Sequence, residues 1–382
     1  MISKYTYICN LITNDHFETY TSLFLDAVRA FAILMMLQGH FIDALLQPIY
    51  RDKTNAIYNT WEYFRGITAP TFFTITGLVF VYLLLRAKSK NEDRFRIKKG
   101  FNRGLLLIGI GYALRFSFIS LFQGKINMYF IVVDVLQCIG LSLILLIGFY
   151  LLTRKKETLF AIIMLLLGCF IFVTEPLYRT LHIESLPKFI ANYITKENGS
   201  VFTMIPWFGY VCFGAYIAVL FHKFGQKYRY KQFKIFGFLS IGLILIFWSS
   251  PILVYLSELF NIQLFYDSAH YNYLFSRLGN VLVIFGIFYT FEQFLKQAII
   301  TKIGQKTLSI YVIHFIIIYG SFTGIGLKHF LYRSLTPIQA IIGAIIFMIV
   351  VCVISFHYAK TNKYIYNKIR LLYDKLIKKD TV

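Results

Sequence analysis

The chain has 382 residues, of which 58% are hydrophobic and 19% are aromatic, and its formal net charge is +21. A soluble globular protein of this length is not so apolar, so the composition predicts an all-α polytopic membrane protein built as a single bundle. Such a charge is also typical of nucleic-acid binding, but its distribution over the loops indicates membrane topology and no nucleic-acid partner. The five cysteines are scattered, which excludes a disulfide framework.

The chain contains ten apolar segments, and we expect each to cross the membrane. The loop after the second segment, residues 86–103, holds eight basic and two acidic residues. The loops on the other side together hold eight basic and seven acidic residues. The positive-inside rule therefore predicts an integral inner-membrane protein with both termini in the cytoplasm. The predicted segments are 23–46, 64–85, 104–122, 131–152, 159–174, 202–221, 235–255, 273–291, 308–321 and 336–357.

This topology divides the chain into three parts. Residues 1–22 are predicted to be a cytoplasmic N-terminal segment, 23–357 the transmembrane domain and 358–382 a basic cytoplasmic tail. No cleavable signal peptide is expected, because the first apolar run starts after 22 fairly polar residues and is too long for a signal sequence.

The first apolar segment carries four ionisable residues, Asp26, Arg29, His40 and Asp43. Such side chains are costly in a membrane helix and persist mainly where they face protein or a watery cavity. His40 lies eleven positions after Arg29, so both return to nearly the same helix face, about 16 Å apart along the axis. We interpret His40, oriented by Asp43, as a general base or an acyl carrier. The alternative is a structural hydrogen-bonded pair.

Arg29 lies near the cytoplasmic end of the same helix. It either forms a self-neutralising ion pair with Asp26 or binds an anionic donor that enters from the cytoplasm. The neighbouring loop favours the anion site, since clusters of Arg and Lys are what phosphate recognition requires. The same charges also serve as ordinary topogenic signals. We call this cluster the basic collar, and it consists of Arg94, Arg96, Lys98, Lys99 and Arg103.

Further ionisable residues lie at membrane depth later in the chain. Arg65, Arg115 and Asp134 are expected in the outer half, where they either position a polar acceptor or pair with each other. Arg277 lies at a similar depth. His314 is interpreted as a helix-packing hydrogen-bond partner. Residues 175–201 form the longest external connection, which is compatible with a short helix or a lid. No zinc-ligand spacing is present, and no metal is expected.

Several stretches resemble one family of integral-membrane acyltransferases. An Arg, ten residues and a His occur in the first membrane helix, within LDAVRAFAILMMLQGH. This block and four later ones follow in the order found in the heparan-α-glucosaminide N-acetyltransferase-like family with its bacterial members. Acyltransferase family 3 is a near relative that shares the Arg-to-His spacing. The later blocks are TAPTFFTITG, DVLQCIGLSL from Asp134, IPWFGYVCFGA from Ile205 and TLSIYVIH from Thr307.

The resemblance implies an acyltransferase with cytoplasmic acyl-CoA as donor, acetyl-CoA above all, and a glycan or glycolipid acceptor on the far side. The lysosomal members are thought to use a His in the loop after the first helix. Residues 41–63 contain none, so that role passes to His40. The R-x-x-R motif of family 3 corresponds here to Arg96-x-x-Lys99.

The sequence therefore predicts two catalytic residues, His40 and Asp43. The donor is expected to bind at Arg29, Arg96, Lys98, Lys99 and Arg103. The acceptor is expected to bind at Arg65, Arg115 and Asp134. Membrane lipid is an expected partner, and a homodimer is left open. Two rival functions are a proton-coupled secondary transporter and a flippase for a lipid or sugar. Against a transporter, no inverted repeat is evident and the charges gather at one side rather than at the midplane. Consumption of thioester separates an enzyme from both.

Overall fold

The computed structural model describes residues 2–122, 128–154, 156–179, 181, 185–224, 231–271 and 273–377, with side chains from residue 23 to 358. This part of the chain is helical and contains no β-strand. The longer helices, numbered in chain order with the short ones, are α1 (Ile2–Leu45), α2 (Ala56–Ser89), α3 (Asp93–Arg115), α5 (Val135–Thr153), α6 (Glu157–Arg179), α8 (Met204–Phe224), α9 (Lys231–Phe260), α11 (Leu274–Thr290), α13 (Thr307–Tyr319) and α15 (Pro337–Ile377). The short helices between them are α4 (Phe118–Phe122), α7 (Lys188–Ala191), α10 (Gln263–His270), α12 (Ala298–Gln305) and α14 (Leu327–Leu331).

The prediction of an all-α polytopic membrane protein is confirmed. In the described residues, seven helices are long and apolar enough to cross a bilayer, namely α1, α2, α5, α6, α8, α9 and α15. An eighth span results if α10 and α11, which meet at a bend of 47°, count as one crossing. Each of the ten predicted segments overlaps a helix, but α3 is highly charged in its first half and α13 is short. Crossings by these two helices stay a prediction.

Several helices extend beyond the predicted apolar segments. The basic collar, predicted to lie in a loop, belongs to the first turns of α3. The segment predicted at 104–122 is interrupted, because α3 ends at Arg115 and the backbone is extended at Phe116. The backbones of α1 and α15 continue into the predicted terminal segments, whose side chains lie outside the described residues. Lys and Arg are good helix formers, so a helix need not end where its hydrophobicity does.

The core of the bundle is formed by α1, α2 and α8. Gly77 of α2 and Gly214 of α8 lie against each other's helix backbones, where a Cβ atom on either would meet a carbonyl oxygen of the facing helix. Small residues allow membrane helices to approach this closely. In contrast, α9 and α15 expose large apolar side chains such as Trp248 and Ile345, as expected of lipid-facing helices.

The second half of the chain is tied to the C-terminal end of α1 by backbone hydrogen bonds. The Leu335 amide donates to the Leu45 carbonyl at 2.9 Å, and the Gln47 amide donates to the Leu335 carbonyl at 3.0 Å. The end of α13 also lies beside the C-terminal half of α1, where His40 is located.

Candidate active site

His40 is surrounded by polar side chains of α13 that are far away in sequence. Its Nδ1 lies 2.9 Å from the hydroxyl oxygen of Tyr319. The His314 ring lies 5.2 Å from the His40 ring, centroid to centroid, at an angle of 38°. His314 is fully buried, its ring nitrogens make no well-aligned hydrogen bond among the described residues, and only carbonyls of its own helix, those of Ile310 and Tyr311, lie beside them. The predicted packing hydrogen bond of His314 is therefore not found in this part of the chain.

Asp43 is engaged by arginines rather than by His40. Its carboxylate forms an ion pair with Arg65, and Arg51 donates to its backbone carbonyl at 2.7 Å. The hydrogen bond that the sequence predicts between Asp43 and His40 is absent from the described residues, and Tyr319 takes that place at the imidazole. Tyr319 gave no signal in the sequence, because it ends an apolar run and contacts α1 only through the tertiary fold.

A cavity of about 270 Å³, called the outer cavity after the predicted topology, is lined by His40 and Asp43 together with Arg65 and Arg277. One wall is aromatic: the rings of Phe202 and Trp207 lie 4.8 Å apart. Phe73 is 5.1 Å from Trp207 and completes this cluster. Val201, the last residue of the connection 175–201, and the following Phe202 both line this cavity, so that connection ends beside it. Flat apolar faces beside a few polar groups are typical of small-molecule sites.

Arg115 and Asp134 pair with each other, which is one of the two alternatives that the sequence left open. The Arg115 guanidinium donates to the Asp134 carboxylate at 2.8 Å, and both side chains are mostly buried. Asp134 also caps α5, where it accepts a hydrogen bond from the Val135 amide. Neither residue lines the two cavities described here, so only Arg65 of the three predicted acceptor residues does so.

A second cavity of about 330 Å³, called the inner cavity after the predicted topology, shares α1, α2 and α5 with the outer one and adds residues of α3 and α13. Its lining contains four cationic residues and, within the described part of the chain, no acidic one. Lys98 points elsewhere: it lines a separate surface depression with Arg94 and Phe101. The helical period explains this separation, since residues at spacings of three, four and seven share a face. The four cationic residues are Arg29, Arg96, Lys99 and Arg103.

The cations of the inner cavity are poorly compensated. Arg29 contacts Asp26 at 3.3 Å, but Gln305 also donates to that carboxylate, at 3.0 Å. The Nε atom of Arg96 is buried and has no hydrogen-bond partner among the described residues. Burial and the neighbouring Arg103 both lower the pKa of Arg96, as expected of a cation that has no anion beside it. A buried donor of this kind calls for an anionic ligand.

The two cavities are separated by a thin partition. Phe72 of α2 and Val135 of α5 line both of them. On α1, Arg29 lines the inner cavity and His40 the outer one, as their spacing on one helix face predicts. Threonine side chains beside Phe72 donate to carbonyls of their own helix; one example is the bond from Thr76 to the Phe72 carbonyl, at 2.7 Å. These bonds stabilise α2 around Pro70.

Comparison with known proteins identifies the family of the chain. A search of curated proteins finds no match. A family model described as "Heparan-alpha-glucosaminide N-acetyltransferase, catalytic" matches residues 22–258, which is more than half of the chain. The match includes both cavity-lining stretches of α1 and α2 and ends in α9, before His314 and Tyr319. The chain therefore belongs to the heparan-alpha-glucosaminide N-acetyltransferase catalytic-domain family, a family of membrane acetyltransferases.

Proposed function

We propose that the protein transfers an acetyl group from acetyl-CoA, bound at the cytoplasmic side, to a sugar acceptor at the outer side of the inner membrane. The observation that carries this proposal is the pair of cavities on opposite sides of Phe72 and Val135. One cavity presents a cluster of four cations and the other presents a histidine. A donor with several phosphates and an acceptor with a proton to lose require this division.

The inner cavity suits the charged part of the donor. Arg29, Arg96, Lys99 and Arg103 would contact the phosphates of CoA through charge-assisted hydrogen bonds. The remaining lining is largely apolar, with residues such as Ile75 and Leu308, which suits the extended pantetheine arm. The thioester would then reach the partition beside Phe72.

The outer cavity suits the acceptor. The aromatic cluster of Phe73, Phe202 and Trp207 offers flat apolar faces to a sugar ring, and Arg65 and Arg277 offer hydrogen-bond donors. For His40 to act as a base, its Nδ1–H must donate to the Tyr319 hydroxyl, which leaves Nε2 free to accept the acceptor's proton. A covalent acyl-histidine formed at the same nitrogen is the other route that the geometry allows.

The test uses purified full-length protein with acetyl-CoA and methyl α-glucosaminide, a simple amino sugar. We expect thiol release that depends on the sugar, and a sugar product heavier by one acetyl group. Thiol release that is independent of the sugar would indicate a hydrolase. No thioester cleavage with this sugar or with a panel of hydroxyl acceptors, together with movement of a sugar across proteoliposomes, would favour the transporter or flippase.

A further inference from the structure

His314 combines features that packing alone does not explain. It is fully buried in the middle of α13, its ring nitrogens make no well-aligned hydrogen bond among the described residues, and the polar atoms beside them are the carbonyls of Ile310 and Tyr311 on its own helix. An unsatisfied buried polar group costs on the order of 1–3 kcal/mol. Apolar side chains dominate the rest of this helix, and a leucine in this position would avoid the cost. A buried polar group without a well-aligned partner calls for an explanation, and a catalytic role is one such explanation.

His314 lies between groups that belong to the two cavities, beside the partition. Toward the outside it faces His40, with 5.2 Å between the ring centroids. Toward the inside, less than one turn of α13 away, Tyr311 packs against it with a ring distance of 4.9 Å. Tyr311 lines the inner cavity together with Thr307 and Leu308. Thus His314 lies between the proposed base and the cavity assigned to the donor.

The proposed reaction releases a proton in the outer cavity and requires one in the inner cavity. The acceptor's nitrogen or oxygen attacks the thioester carbon, a new C–N or C–O bond forms and the C–S bond breaks. The acceptor's proton goes to His40 in the outer cavity, whereas the CoA thiolate leaves in the inner cavity and requires a proton there. General acid catalysis of thiolate departure therefore needs a proton carrier between the two.

We propose that His314 is this carrier: it receives the acceptor's proton from His40 and passes it through the Tyr311 side of α13 to the departing thiolate. This inference rests on the proposed function. The ring separation is short enough for a ring rotation or one bridging water to bring the nitrogens of His40 and His314 into hydrogen-bond contact. After each transfer both histidines are neutral again, so atoms and charge balance.

The titratable neighbours of this pair are few. They are Tyr311 and Tyr319 on α13 and, on other helices, the ion pairs of Asp43 with Arg65 and of Asp134 with Arg115. The two ion pairs are internally compensated, and the tyrosines are neutral donors. His314 is accordingly the group in this neighbourhood that is suited to exchange a proton with His40 near neutral pH.

The experiment compares two donors of different leaving-group acidity in the variant His314→Gln. Glutamine keeps a polar side chain but cannot take up or release a proton near neutral pH. The leaving group of acetyl-CoA is a basic thiolate that benefits from protonation, whereas that of 4-nitrophenyl thioacetate is a weakly basic thiolate that does not. With acetyl-CoA we expect a loss of roughly 10²-fold in the maximal rate, with little change in KM. With the aryl thioester we expect a loss of less than about threefold.

The matched control is His222→Gln, since His222 lies at the end of α8 near Glu157, away from both cavities. It should leave both rates unchanged. Equal losses with both donors in His314→Gln would mean that His314 is structural, and unchanged rates would mean that it has no role; either result overturns the inference. Failure of the wild-type protein to transfer acetyl from either donor would instead overturn the proposed function.

Discussion

The inner and outer cavities share α1, α2 and α5 but differ in how their charges are compensated. In the inner cavity four cations lie together, no described acidic residue lines the wall, and one of the four forms an ion pair with Asp26. In the outer cavity Asp43 neutralises Arg65, and Arg277 adds one further cation. Clustered cations favour a ligand of opposite sign, whereas compensated charge can hold a neutral reacting group in place. The difference supports the proposal that donor binding and chemistry are divided between the two cavities.

The largest effect is expected when the imidazole of His40 is removed from the outer cavity. A positioned base contributes typically 10²–10⁴-fold, so His40→Gln should lose at least about 10²-fold in the maximal rate of acetyl transfer. Binding of CoA, measured by calorimetry, should not change, because His40 does not line the inner cavity. A variant with near wild-type turnover would show that the histidine is structural.

The donor side can be tested by charge removal on one face of α3. Replacing Arg96 and Lys99 by Gln should weaken CoA binding by about tenfold, after allowing for their partial exposure to solvent. The effect should shrink at high salt. The control replaces Arg94 and Lys98, which carry the same charge on the other face and line the separate depression. If both double variants weaken CoA binding equally, the inner cavity is not the donor site.

The role of Phe72 in the partition can be tested with donors of different acyl-chain length. Phe72→Ala removes a side chain that lines both cavities and should join them. The preference for acetyl-CoA over octanoyl-CoA, compared through kcat/KM, should then fall by at least about tenfold. Leu83→Ala removes a side chain that lines the inner cavity alone and should change this ratio little. An unchanged ratio in the Phe72 variant would argue that the acyl group does not pass this residue.

The smallest effect is expected at Asp43. Because its carboxylate pairs with Arg65 and not with the imidazole, Asp43→Asn should slow transfer only several-fold through the altered position of Arg65. Tyr319→Phe removes the hydroxyl that His40 contacts and should slow transfer more than Asp43→Asn does. The reverse order, measured with saturating donor and acceptor, would restore Asp43 as the residue that orients His40.

Local periodicity predicted the part of the site that lies on one helix. The spacing of Arg29 and His40 placed them on one face of α1, and each lines one cavity. Treating 93–103 as a helix rather than a loop would also have separated Lys98 from Arg96 and Lys99.

The remaining parts of the site depend on contacts that spacing does not encode. Tyr319 and His314 reach His40 across more than 270 positions of the chain, through the backbone bonds that tie residue 335 to α1. Similarly, the sequence offered three arginines and two carboxylates in the outer half of the membrane without indicating which would pair. The observed partners, Arg65 with Asp43 and Arg115 with Asp134, follow from the packing of α1, α2, α3 and α5.

The central claim is that donor and acceptor bind on opposite sides of the partition, and a sided assay tests it most directly. Protein of uniform orientation in proteoliposomes receives acetyl-CoA on the side of the basic collar and methyl α-glucosaminide on the other side. We predict free CoA on the donor side and acetylated sugar on the acceptor side. The variant His40→Gln should form neither product. Acetylated sugar formed only when both compounds are on the same side, or sugar crossing the membrane without thioester cleavage, would contradict the account.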